Sequence, residues 1–262
     1  MRPGRRPTRS WTQCWRAGRC RIQWRTLTPI YRICSGQNHE VARRRCDRLG
    51  CCGGAASVLL RKPRSKVEVY NDLDDEIVGI FRVLQNPMQC RELVRRLKRT
   101  PYSRREFETA FRATSDPITR AQRAIVRAYM SFHHSALFNP SKNTFADARH
   151  RKLGNHCKAH EWSTYPRHLA TICHRLRGVI IEHRDALDVI RVQDTPDGLF
   201  FVDPPYVHST RDKSARYRCE LSDAQHEALL MLLKGVQGKV IIAGLPQRVI
   251  RRSADRLATP DP

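Results

Sequence analysis

No run of eighteen or more apolar residues occurs anywhere in the chain, so a membrane-spanning helix is not expected. The N-terminus is basic but lacks the apolar segment a secretory signal needs, and the expected location is the cytoplasm. Acidic residues are scarce. Only 25 Asp and Glu stand against 49 Lys and Arg, a formal net charge of +24 on 262 residues. Such a field concentrates polyanions and makes nucleic acid the first partner to consider, without specifying any chemistry. No disulfide framework is expected either. Six of the ten cysteines (Cys14, Cys20, Cys34, Cys46, Cys51 and Cys52) fall early and the rest are spread thinly, so the thiols should be reduced. Cys157 and His160 have ligand-like spacing, with His150 and Cys173 nearby, but no second well-spaced pair joins them, and no metal site is expected. His133-His134 lacks a nearby acidic residue to orient an imidazole, which argues against a catalytic base.

What the chain does contain divides into unequal parts. Residues 1–50 hold 13 Arg, three of the four Trp, and only Glu40 and Asp47 as acids, with little periodicity. They read as a poorly ordered or aberrant basic leader, or alternatively as a flexible DNA-binding arm. Residues 51–86 read as the first part of an open α/β nucleotide-binding unit, with regular order beginning near Gly53. Residues 87–165 interrupt that rhythm, residues 166–246 resume it, and residues 247–262 form an irregular tail.

In the first α/β part, Gly53-Gly54-Ala55-Ala56-Ser57 leads through Val58-Leu59-Leu60 to a short strand, Val67-Glu68-Val69-Tyr70. Small residues at such a turn let a nucleotide-like ligand approach the backbone. Asp72 follows the strand, where a carboxylate can accept both hydroxyl hydrogens of a ribose. Ile77, Ile80, Phe81 and Leu84 then mark the inner face of a helix. In the middle region, residues 91–99, 103–110 and 120–129 look helical, separated by Pro101 and Pro117. Their many Arg and Lys, from Arg91 to Arg127, suit DNA phosphates. Residues 131–151 read as a loop whose aromatic and polar groups, Phe132, Phe138, Asn139, Asn143 and Phe145 among them, could touch a duplex.

The second α/β part begins with a helix over residues 166–176, ended by Gly178, and a buried strand, Val179-Ile180-Ile181. Asp185 comes next and has two readings: an acceptor for the amino group of a bound adenine nucleotide, or the N-cap of a helix starting at Ala186. Leu199-Phe200-Phe201-Val202 then supplies an interior strand that ends directly in Asp203-Pro204-Pro205-Tyr206. Two prolines stiffen the exit and remove backbone donors, leaving the Pro204 carbonyl and the Asp203 carboxylate as acceptors beside the Tyr206 ring. Those groups suit an exocyclic amine: its two hydrogens are accepted, and its base stacks on the ring. A capping box at Ser222-Asp223-Ala224-Gln225 and a strand over residues 240–243 complete the alternation. The expected fold class is α/β, a Rossmann-like doubly wound sheet with Asp72, Asp185 and Asp203 after separate strands at one edge.

The ordered motifs Val69-Tyr70-Asn71-Asp72-Leu73-Asp74, Arg184-Asp185-Ala186-Leu187 and Phe201-Val202-Asp203-Pro204-Pro205-Tyr206, preceded by the Gly53-Gly54 segment, resemble the D12-class, Dam-like and phage-type DNA N6-adenine methyltransferases over residues 53–245. The resemblance implies transfer of methyl from S-adenosyl-L-methionine to adenine N6 in duplex DNA, in a restriction-modification or phage setting. It implies cofactor contacts at Gly53, Gly54, Asp72 and Asp185, catalysis by Asp203, Pro204, Pro205 and Tyr206, no metal, and residues 87–165 as a helical target-recognition insertion. The partner is then double-stranded DNA, and the protein a monomer or weak dimer with no membrane association. The alternative is an impaired, truncated or frameshifted remnant that only binds DNA. It is suggested by Leu49-Gly50-Cys51-Cys52, which lacks the family's aromatic residue, and by Leu245 where a Tyr usually precedes Pro246.

Overall fold

The computed structural model describes residues 48–52, 56–131, 145–147, 158–205 and 219–242. At its centre, five strands run β1 (Arg48–Cys52), β2 (Val67–Asn71), β3 (Val179–Glu182), β4 (Gly198–Val202) and β5 (Lys239–Ile242). They lie in the order β3-β2-β1-β4-β5, and every neighbouring pair is parallel. Alternate residues of a strand face opposite sides of a sheet. On β4, Leu199 and Phe201 join one apolar cluster and Phe200 and Val202 another, so the sheet carries a packed layer on each face.

The first layer holds helices α1 (Ser57–Arg61), α2 (Asp75–Gln85), α3 (Pro87–Arg99), α4 (Arg104–Thr109), α5 (Pro117–Met130), α6 (Lys158–Thr164) and α7 (Leu169–Leu176). The second holds α8 (Ala186–Gln193), whose Ile190 meets Phe200 and Val202, and α9 (Asp223–Gly235), whose Leu229 and Leu233 do the same. The helix starts are written in the sequence. Asp74 accepts from the Glu76 amide at 2.9 Å, and Asn86 accepts from Met88 and Gln89 before a helix opened by Pro87. Asp116 precedes Pro117 in the same way, so α5 starts three residues before the expected position, and Ser222 with Gln225 closes the expected capping box.

Three expectations are corrected. Among the described residues a strand already covers Arg48–Cys52, ahead of Gly53, so a leader drawn to residue 50 overlaps the sheet's central strand. Gly50 belongs there because a Cβ atom would stand 2.9 Å from the Phe200 ring: the glycine lets that ring lie across β1. The strand at Val179–Glu182 is an edge and is buried on one face only: Val179 packs into the core while Ile180 is 44% exposed, because α8 crosses to cover β4 instead. Phe145 is not a surface loop residue. It is buried among Phe107 and Tyr102 and pairs with Ser131, while Arg104 lies over its ring.

The helices of residues 87–130 share a single core with the sheet: Leu93, Leu97, Phe107 and Ile125 belong to the same apolar cluster as Tyr70, Leu199 and Phe201. The chain returns from them through α7, ended by Gly178 at φ 76°, a conformation that favours glycine. A buried ion pair anchors that return. Arg175 grips Glu68, 2% exposed, through both terminal nitrogens at 2.6 and 2.7 Å, and also donates to the Leu59 carbonyl. Removing one partner of a buried pair leaves the other charge uncompensated. Glu68→Gln is therefore expected to lower unfolding free energy by roughly 3 kcal/mol in chemical denaturation at neutral pH. A change within a few tenths of a kcal/mol would show that the pair does not anchor the fold.

Candidate active site

β4 is buried along its whole length, with neighbours on both sides and packing on both faces. A strand held this way cannot slide, which fixes where Asp203 leaves the sheet. Asp203, Pro204 and Pro205 follow it half-buried, and neither proline carries an N–H to compete for an acceptor. Desolvation raises the Asp203 carboxyl to about 6. Tyr206 lies outside the described residues.

Asp72 follows β2 in the same way. Below it, Tyr70 is fully buried with its ring 4.6 Å from that of Phe81, and its hydroxyl donates to Asp72 Oδ2 at 3.0 Å. The Asp74 amide donates to Asp72 Oδ1 at 2.9 Å. Burial is the larger influence and raises this carboxyl too to about 6, against those two hydrogen bonds. A carboxylate oxygen accepts two bonds, so Asp72 keeps acceptor capacity beyond these. Asp185 lies three residues beyond β3. Its Oδ1 accepts from the Leu187 amide at 2.7 Å, the helix-cap reading, and its exposed carboxylate retains its other oxygen.

The parallel ladder brings these groups to one edge. Cys52 at the end of β1 is aligned with Asn71 on one side and Val202 on the other, and Asn71 with Glu182. Asp72 and Asp203 thus leave the strands flanking β1, two strand spacings or roughly 10 Å apart. Gly53 and Gly54 follow β1 in the sequence and lie outside the described residues. The edge offers desolvated acceptors, suited to donors such as sugar hydroxyls and amino groups.

Several arginines of the middle region are occupied within the protein. Arg96 bridges Glu92 and Asp116 at 2.7 and 2.8 Å, Arg120 pairs with Asp75, Arg123 donates to the carbonyls of Arg112 and Ala113, and the buried Arg127 pairs with Glu76. Arg91, Lys98, Arg99 and Arg105 point outward as exposed cations. Sequence reasoning passed over Tyr70 and Asn71. The signal available for Asn71 was a polar residue closing an apolar strand directly before an acid. Its amide joins the Arg184 backbone, bringing the loops that carry Asp72 and Asp185 together.

A carboxyl with a raised folded pKa favours folding while protonated, and that contribution fades as pH rises through about 6. At pH 8 the ionised, desolvated Asp203 costs stability, whereas below pH 4 it is protonated in both folded and unfolded chains. Asp203→Asn should therefore raise stability by on the order of 1–2 kcal/mol at pH 8, discounted for partial exposure, and by almost nothing near pH 4. Thermal unfolding at the two pH values measures this; an equal effect at both would contradict a desolvated carboxylate.

The family model for D12 class N6 adenine-specific DNA methyltransferase matches residues 52–250, most of the chain and a little beyond the resemblance drawn from motifs. No curated protein matches the chain. With three carboxylates after separate parallel strands and that match across them, the chain belongs to the D12 class N6 adenine-specific DNA methyltransferase family, enzymes that act on adenine in DNA.

Proposed function

We propose that the sheet is the doubly wound core of a Rossmann-like methyltransferase using S-adenosyl-L-methionine, with residues 87–165 as its target-recognition insertion. The observation that carries this reading is the convergence of Asp72, Asp185 and Asp203 on the edge where parallel strands end, the usual ligand crevice of open α/β sheets. The residues fit the donor. Asp72 has spare acceptor capacity for the hydroxyls of a ribose, and Asp185 has an oxygen for an adenine amino group. Gly53 and Gly54 would let the backbone approach it closely. When bound, S-adenosylmethionine supplies an electrophilic methyl group on its sulfonium.

On the other side of β1, Asp203 and the Pro204 carbonyl would accept the two hydrogens of adenine N6, orienting the nitrogen lone pair outward. Pro205 holds the turn rigid, and Tyr206 would stack on the flipped base. Holding the amine in line supplies much of the acceleration. Full deprotonation before attack is unnecessary, since methylation itself acidifies the nitrogen. The ionised carboxylate is the competent form, so the raised Asp203 pKa limits activity at low pH. The exposed Arg91, Lys98, Arg99 and Arg105 supply DNA phosphate contacts. No helix among the described residues is long and apolar enough to cross a membrane. A cytoplasmic monomer or weak dimer serving restriction-modification or a phage completes the reading. The family match does not favour the DNA-binding remnant.

Labelled S-adenosylmethionine and mixed duplex DNA, followed by nucleoside identification, should yield N6-methyladenine. Asp203→Ala should abolish transfer, by a factor of about a thousand or more, with general DNA affinity nearly unchanged. Retained turnover would remove Asp203 from its assigned role. In the unaltered protein, kcat/KM should fall as pH drops through about 6, the value to which burial raises both Asp72 and Asp203. A profile flat down to pH 4.5 would contradict the need for ionised carboxylates.

A further inference from the structure

We infer that Asn71 and His183 are positioning residues for methyl-donor binding, clamping the loop after β2 to the loop after β3 so that Asp72 and Asp185 keep a fixed separation. The inference rests on the reading that those two carboxylates hold the donor.

Backbone pairing between β2 and β3 ends at the rung that aligns Asn71 with Glu182. The next bond, from the Asp72 amide to the Glu182 carbonyl, is already long at 3.5 Å. Beyond that point strand pairing no longer holds the two loops together. The Asn71 side chain supplies what the ladder stops supplying. Its Nδ2 donates to the Arg184 carbonyl at 2.9 Å, and its Oδ1 accepts from the Arg184 amide at 3.0 Å. The amide thus imitates a backbone rung, and at 2% exposure little water competes for either end. Arg184 immediately precedes Asp185.

The second half of the clamp lies on the other side of Asp72. His183 Nε2 donates to the Leu73 carbonyl at 3.0 Å, a role open to the imidazolium and to the neutral ring protonated at Nε2. The residues before and after Asp72 are therefore both tied to the loop that carries Asp185. Tyr70 and the Asp74 amide aim the Asp72 carboxylate itself. Neither Asn71 nor His183 need touch the donor: each acts through the backbone of the neighbouring loop. A bidentate ligand site loses affinity when its two contacts drift by fractions of an ångström, which makes such second-layer bonds matter.

Donor affinity by calorimetry with S-adenosylmethionine, together with steady-state kinetics on duplex DNA, tests the inference in the full chain. His183→Ala, at an exposed position that should fold normally, is expected to raise the donor Kd and KM by about threefold to tenfold. Its kcat and its KM for DNA should stay close to those of the unaltered protein. His183→Gln, which restores a donor, should recover much of the loss. Asn71→Ala should weaken the donor by about tenfold or more. Glu68→Gln serves as the control for general loosening, because it strikes the opposite end of the sheet. Unchanged donor affinity in folded His183→Ala would overturn the clamp. So would an equal loss in Glu68→Gln at matched thermal stability. Asp72→Ala separates the two levels: if it binds the donor as tightly as the unaltered protein, the donor-site reading falls and the clamp falls with it. If it loses the donor while both clamp variants keep it, only the clamp is rejected.

Discussion

Parallel strands impose one rule on everything else in this protein: each must leave the sheet on the same side. Among the described residues the strands are all aligned and apolar side chains pack on both faces of the sheet, so the polar residues that follow the strands collect at one edge. Asp72, Asp185 and Asp203 come from positions far apart in the chain, yet the ladder delivers them together. The burial that fixes the strands also strips water from two of the carboxylates, and that makes ionised oxygens costly to keep and effective once formed. Under the proposed function, that cost falls on the residues that hold the donor and the target amine.

How much of this was readable in the sequence follows from how local each signal is. Asp203-Pro204-Pro205 stood out because a fully apolar strand, an acid and two prolines are adjacent, and each has a single structural consequence. The capping box at Ser222 was local too. β1 was not readable. Gly50 and two cysteines give a strand no alternation, and the reason for the glycine is the ring of Phe200, a residue far along the chain. Ile180 looked like core because its neighbours are apolar; its exposure depends on where α8 crosses. Asn71 could be seen as polar and oddly placed, but its partner is 113 residues away.

The helical region between the two α/β parts is better understood as part of the same body than as an appendage. Its apolar faces enter the core that holds the sheet, and several of its arginines are engaged by carboxylates and carbonyls of the protein itself. A large positive charge is therefore a poor count of the cations available to DNA. Many of these arginines hold helices to one another, and Arg127 is buried.

The bridge between Ser131 and Phe145 has its own consequence. The Ala146 amide returns to the Met130 carbonyl at 2.7 Å, so the chain that departs after α5 comes back to the point where it left. Those bonds join main chain to main chain, so no side-chain substitution removes them, and the residues at this junction can change identity while the end of α5 stays anchored.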